Sequence, residues 1–161
     1  VSEYRSLIEA ACPGAVVDEF EGPGDERTIE IAAERIAEVA RFLKGEPCSF
    51  KLLSDLTCAD FPAGDGRGNR FRVAYHLFSV ETGDRLRLRV WADAESPEVP
   101  SVTPVWATAN WHEREVWDMF GVRFTGHPDL SRILMPFDWE GHPLRRDYPL
   151  GGEDVWFSDA V

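Results

Sequence analysis

At 161 residues the chain has room for one domain and an appendage, and a hydrophobic content of 43% suffices for a core. A net charge of −12 gives it no electrostatic reason to seek nucleic acid or anionic lipid. No apolar run reaches the roughly 18 residues of a membrane span and no signal-peptide pattern is present, so the chain reads as soluble and cytoplasmic.

Six tryptophans and ten phenylalanines fit either burial against a partner or a large aromatic core. Cys12, Cys48 and Cys58 are scattered and form no CxxC. Clusters and zinc sites need closely placed thiolates or paired ligands, so the expectation is reduced core cysteines and no cofactor in this chain.

Taken in order, Tyr4, Leu7, Ile8 and Ala11 recur at helical spacing, and Cys12-Pro13-Gly14 stops that first helix. Stretches 15–21 and 27–31 read as strands joined by a Gly22-Pro23-Gly24 turn. A clearer helix covers 33–44, with Ile36, Val39, Ala40 and Leu43 on one face and Gly45 as its cap. Ser49–Phe61 is a strand with imperfect alternation. The loop with Gly64, Gly66 and Gly68 reads as a hairpin connection, because a phosphate cradle leads into a helix and here a strand follows.

Stretches 70–80 and 85–91 form the best-patterned hairpin, turning at Gly83-Asp84. Phe71, Val73, Tyr75, Leu77, Leu86, Leu88 and Val90 share one face. Arg72, His76, Arg87 and Arg89 stand among Phe78, Val80 and Trp91 on the other. That outer face is either a basic docking patch or a solvated face with packed arginine stems, and the second reading is preferred. Residues 95–104 read as a Pro- and Ser-containing linker.

The fold class is therefore α+β: two layers, helices on one face of a mixed β-sheet, in the order α-β-β-α-β-β-β, followed by a short helix and an extended C-terminal arm. The boundaries are 1–94 for the α+β domain, 95–121 for the linker and short helix, and 122–161 for the arm.

The most informative stretch runs from Asn110 to Leu150. Asn110 is expected to cap the short helix, with Glu113 reaching back in a capping box. Gly121 should end the helix with a positive φ. Glu113 falls inside the apolar arc of Val116, Trp117 and Phe120, so it must be paired, capped or protonated. The alternatives are the capping box, an ion pair, or a general base in a dry pocket. Arg114 and Asp118, four apart, are expected to pair on the exposed side. His76, His112, His127 and His142 raise a metal site, with His112 and Glu115 one turn apart, but HExxH is absent and no metal is expected. Beyond Gly121, Pro128, Pro136, Pro143 and Pro149 forbid a helix. Phe124, Leu130, Ile133, Leu134, Met135, Phe137, Trp139, Leu144, Tyr148, Trp156 and Phe157 are too many for a small sheet to hide, so much of the arm is expected to be buried against a partner.

These residues also carry a resemblance. Glu113-Arg114-Glu115, Asp118-Met119-Phe120-Gly121-Val122, His127-Pro128-Asp129-Leu130, Arg132-Ile133-Leu134 and the run from Trp139 to Leu150 resemble the signature of the thirty-kilodalton subunit family of respiratory NADH:quinone oxidoreductase (complex I). FKLLSDLTCADFP at 50–62 is similar to the family as well, and Ser131 departs from it where a base is more usual. The resemblance implies this α+β architecture and a non-catalytic structural subunit of the hydrophilic arm. It implies docking against the quinone-site subunit and neighbouring iron–sulfur subunits, with FMN and the clusters held by those partners. It implies peripheral attachment at the cytoplasmic face of the cell membrane, through the complex. Carried over to this chain, the expected partner-docking residues are Glu113, Arg114, Glu115, Asp118, His127, Arg132, Trp139, Arg145, Arg146 and Tyr148. Two alternatives stay open: the equivalent subunit of a membrane-bound hydrogenase or ferredoxin-dependent complex, and a stand-alone acid–base enzyme using Glu113, Glu115 or His127.

Overall fold

The structure is a computed structural model that describes residues 3–22, 27–149 and 151. The Pro23-Gly24 turn and the expected arm residues Trp156 and Phe157 lie outside them. The elements are α1 (Glu3–Ala11), β1 (Val16–Glu21), β2 (Arg27–Ile31), α2 (Ile36–Lys44) after a single 3₁₀ turn, β3 (Leu52–Asp60), β4 (Asn69–Phe78), β5 (Arg85–Asp93), β6 (Glu98–Pro100), α3 (Ala109–Phe120) and β7 (Arg123–Thr125). The expected α+β order holds through β5.

Five strands form a mixed sheet in the order β1-β2-β5-β4-β3, antiparallel except where β2 runs parallel to β5. The β4–β5 hairpin is its spine, with Tyr75 opposite Leu88 and Val73 opposite Val90. Phe71, Val73, Tyr75, Leu77, Leu86, Leu88 and Val90 are all buried, as a period of two requires. Ile8 of α1, Ile36, Val39 and Leu43 of α2, and Ala109 and Val116 of α3 join them in one core, so the helices lie on a single face of the sheet. Each large apolar side chain buried there contributes about 1.5–3 kcal/mol. The imperfect alternation of β3 is a register shift between Leu53 and Asp55, which brings Leu53, Leu56, Cys58 and Asp60 to the core side while Leu52 faces out.

Gly45 caps α2 as expected, with its N–H donated to the Arg41 and Phe42 carbonyls and its backbone extended, φ −79° and ψ 179°. Two expectations need correction. Residues 98–100, read as linker, form β6 and pair in parallel with β7 at the start of the arm. Three-residue strands carry too short a pattern to be read from sequence, and each exists only because the other is present. Residues 127–149 do not stand away from the domain: they fold back over α3 and the ends of β3 and β4, held by hydrogen bonds to both.

Candidate functional site: the short helix and its strap

α3 begins without help from Asn110. The chain winds into the helix through a turn in which Val105 and Trp106 donate to the Val102 carbonyl and Ala109 to that of Trp106. The residue before the helix is Thr108, already in the right-handed helical region, with no side-chain cap. Asn110 sits inside the first turn, and the expected capping box does not form.

Glu113 has another role. It is 0% exposed. One carboxylate oxygen accepts the Val102 N–H at 2.7 Å, and the other accepts the hydroxyls of Ser101 at 2.6 Å and Thr103 at 3.1 Å. Burial pushes its carboxyl above the usual range, and these donors partly offset that. Among the described residues Glu113 forms neither the capping box nor an ion pair. Glu113 pins the loop between β6 and α3, and Ser101 donates its N–H to Thr125 of β7. The acid thus ties helix, loop and arm entrance together. A general base needs an open side facing a substrate, and Glu113 has none.

Asp118 is also 0% exposed, contrary to its expected place on the open side. One of its oxygens accepts three successive N–H groups, from Ile133 at 3.0 Å, Leu134 at 2.8 Å and Met135 at 2.9 Å. Its other oxygen pairs with Arg132. Burial pushes the carboxyl up, and the Met135 N–H, Arg132 and the other two amides outweigh it, so it stays ionised below the ordinary range. Arg132 goes on to bond the Trp139 carbonyl at 2.8 Å and that of Gly141 at 3.0 Å. A hydrophobicity wheel could not place Asp118, because what covers it is polar backbone from another segment.

The last turn of any helix leaves carbonyls without intrahelical donors. Here the arm supplies them. Arg132 and His142 reach the Asp118 carbonyl, the Leu144 N–H reaches that of Met119, and Arg145 reaches that of Phe120. Two guanidinium groups at a helix C-terminus also suit its dipole. Gly121 ends the helix at φ 74°, as expected. A side chain there would come within 2.6 Å of the His142 ring and 2.5 Å of Arg145, so the strap packs directly on the glycine.

Two further anchors complete the strap. Arg114 donates to the Ser131 and Arg132 carbonyls, both at 3.0 Å, so it serves the arm rather than Asp118. At Ser131 the contact is made through the backbone carbonyl and does not involve the side chain. His127 accepts the Asp129 N–H at Nδ1, which leaves Nε2–H to donate to the Asn110 carbonyl at 3.2 Å. At the far end, Asp60 binds Arg70 with two 2.7 Å contacts and accepts the Arg146 N–H at 2.7 Å, while Asp147 binds Arg70 with two at 2.9 Å. Arg70 holds the Asp60 carboxyl below its usual range. Asp60, Arg70, Asp147, Ser101 and Thr103 escape a reading of the sequence. One signal is available: Asp60 falls on the core parity of Leu56 and Cys58, where a carboxylate must find a partner.

Of the remaining expected residues, Glu115 is exposed, Trp139 is half-buried and gives its carbonyl to Arg132, and the Arg146 side chain is exposed. Tyr148 packs against Gly141 and reaches the Glu140 carbonyl at 3.4 Å. The ten residues thus mostly gather around α3, but Asp118, Arg132 and Arg145 spend their polar groups within the chain. Beside exposed charges at Asp138, Glu140, Arg146 and Asp147, the strap holds large apolar side chains outward: Phe137 is 94% exposed and Leu134 and Leu144 are 55% exposed each, with Trp111 of α3 at 61%.

Among the described residues no three His, Cys, Asp or Glu side chains come together as a metal site. Burial pushes the Cys58 thiol up to about 12, which keeps it inert. No helix among them is long and apolar enough to cross a membrane.

Comparison with known proteins decides the family. The respiratory-chain NADH dehydrogenase 30-kilodalton subunit family matches residues 29–154. The chain belongs to this family. It is 49% identical to the C-subunit of NADH-quinone oxidoreductase from Roseiflexus sp. (strain RS-1), over 94% of this chain and 85% of that one. It is 48% identical to the mitochondrial NADH dehydrogenase [ubiquinone] iron-sulfur protein 3 of Candida albicans, over 88% of this chain and 50% of the relative. Among solved structures it is similar to the trypsin-resistant fragment of Nqo5, with a TM-score of 0.64 and 32% identity, over 78% of this chain and 98% of the fragment. A chain of a membrane-bound sulfane sulfur reductase shares the fold at 22% identity and a TM-score of 0.72. The chain is therefore a subunit of an NADH–quinone oxidoreductase, and neither the hydrogenase-type alternative nor the stand-alone enzyme is favoured.

Proposed function

We propose that the chain is a non-catalytic structural subunit of the hydrophilic arm of complex I. In this reading it holds cofactor-bearing neighbours in register at the cytoplasmic face of the membrane, attached peripherally through the complex. The quinone-site subunit is the expected principal partner, with iron–sulfur subunits beside it, and FMN and the clusters reside in those partners.

One observation carries the reading: a strap anchored to α3 through buried polar contacts that nevertheless holds three large apolar side chains, Phe137, Leu134 and Leu144, in solvent. Phe137, Leu134 and Leu144 gain nothing from water, yet the backbone that carries them is locked to α3 by Asp118, Arg132 and Arg145. Soluble surfaces seldom fix apolar side chains outward on a rigid support unless something covers them. A preorganised strap lowers the ordering cost of docking. Acid–base chemistry gains no support from the same residues, since Glu113 is enclosed and His127 is held between two backbone groups.

The test is affinity purification of the tagged full chain from native membranes. The flavin- and cluster-bearing subunits should accompany it with NADH:quinone reductase activity. Recovery of the chain alone, with the activity in another fraction, would overturn the reading.

A further inference from the structure

The helices cover one face of the sheet and leave the other open. Along β5, Arg85, Arg87 and Arg89 alternate onto that open face, with successive side chains about 6.8 Å apart. Opposite them on β4 stand Phe78, His76 and Ala74, and Arg72 faces Trp91. Small residues make the floor: Thr28, Thr57, Ala59 and Ala74 line a groove of about 210 Å³ walled by arginines. It continues past His76 and Arg87 into a second groove of about 360 Å³ bounded by Arg85 and Phe78. The guanidinium groups themselves lie over aromatic rings: the Arg72 guanidinium carbon is 4.3 Å from the Phe61 centroid and that of Arg89 3.5 Å from the Phe20 centroid. Stacking of this kind holds the charged groups along the groove without neutralising them.

Two carboxylates stand with these arginines: Glu30 pairs with Arg89 at 2.7 Å, and Asp55 lines the second groove, 3.7 Å from His112. Arg72 has no hydrogen bond to a carboxylate among the described residues. Burial and the neighbouring Arg89 disfavour its charge. Arg85 is exposed and stands near the Phe78 ring. A chain of net charge −12 thus concentrates positive charge in one concave strip.

We propose that this trough receives an extended acidic segment of a neighbouring subunit, with carboxylates at alternate positions meeting Arg85, Arg72 and the rim of Arg89. The inference rests on the chain's being a subunit of the complex and adds a second contact, on the sheet face opposite to the helices. Charge complementarity selects the occupant. Screening confines attraction to about 8 Å at physiological salt, so a short acidic peptide in the groove meets the local arginines. A membrane surface or a nucleic acid is large enough to meet the rest of this acidic chain as well, and is disfavoured.

The experiment is arginine footprinting with phenylglyoxal, read by mass spectrometry, on the isolated full chain and on the purified complex. Arg72 and Arg85 should react in the free chain and at least tenfold more slowly in the complex. Protection should persist after the complex is stripped of lipid by detergent exchange. In the pair of substitutions Arg72→Gln and Arg85→Gln, which leave the α3 strap untouched, the chain should dissociate from the complex at lower salt. Equal reactivity in a complex that contains the chain would overturn the trough while leaving the subunit assignment intact. Protection lost with lipid would make the occupant a headgroup, and protection growing with concentration in the free chain would make it a second copy; either result overturns the proposal. A chain that does not purify with the complex at all would instead refute the proposed function on which the trough depends.

Discussion

Asp118→Ala should release the strap. The substitution removes the acceptor for the Ile133, Leu134 and Met135 amides and leaves Arg132 without its anion. Breaking a buried charge pair costs about 3–5 kcal/mol, and each orphaned buried N–H about 1–3 kcal/mol. These do not add in full, because a strap that peels away regains water. The loss is therefore capped by the docking energy of residues 130–149 and should be about 3–4 kcal/mol. For a chain of this size each kcal/mol lowers Tm by about 2–4 °C, giving a fall of about 6–16 °C. Peeling also exposes Arg132, Arg145 and Arg146 to trypsin. The assay is limited trypsinolysis of the isolated chain beside a thermal melt. Asp118→Ala should be cut in the strap first, leaving a fragment that retains the β4–β5 hairpin. An unchanged melt together with unchanged cleavage would refute the clamp and the helix-capping role built on it.

Hydrogen exchange on the isolated chain should find the Ile133, Leu134, Met135, Leu144 and Arg146 amides slowed, since each has a partner in the chain itself; exchange at the rate of an open coil would contradict the intramolecular strap. Glu113→Leu should cost about 2–4 kcal/mol, as it orphans the Val102 N–H and two hydroxyls, whereas Glu113→Gln should cost less because the hydroxyls can rotate to accept from the amide. The pH dependence separates the two acids. The Glu113 carboxyl is raised in the fold, so the stability of wild type relative to Glu113→Gln should be greatest below about pH 4.3 and decline as pH rises through the folded value. The Asp60 carboxyl is lowered, so its contribution should be complete above about pH 3.9 and disappear as pH falls through the folded value, and Asp60→Asn should flatten the acid limb of the stability curve. Gly121→Ala forces a side chain into a left-handed residue beneath His142 and Arg145, and should lower stability by at least the roughly 1–2 kcal/mol of the backbone conformation.

The parts of this structure that are legible in the sequence are those whose signal is local. The β4–β5 hairpin shows a strict two-residue period from Phe71 to Val90, and α2 shows a clean apolar stripe ended before Pro47. Gly121 announces its own left-handed conformation. The parts that are not legible depend on segments far apart in the chain. Asp118 looks exposed on a helical wheel because its amide donors lie fifteen or more residues away, in a stretch with no regular period. Glu113 is correctly placed among apolar residues, but its partners at Ser101 and Thr103 stand in what reads as a linker. β6 and β7 are three-residue strands that define one another. The strap's apolar residues suggest a partner, and the fold divides that inference: the backbone, Asp118, Arg132 and Arg145 bind within this chain, while Leu134, Phe137 and Leu144 remain outside.

That division is the central claim, and surface variants test it most directly. Phe137→Asp combined with Leu144→Asp changes two exposed side chains that are 94% and 55% accessible and should leave the melt of the isolated chain unchanged. The quantity to measure is the amount of the variant chain incorporated into intact complex on a native gel of solubilised membranes. The account predicts normal folding of the free chain with incorporation reduced at least tenfold. Normal incorporation of the variant would contradict it, because the face presented by the strap would then not be a docking surface.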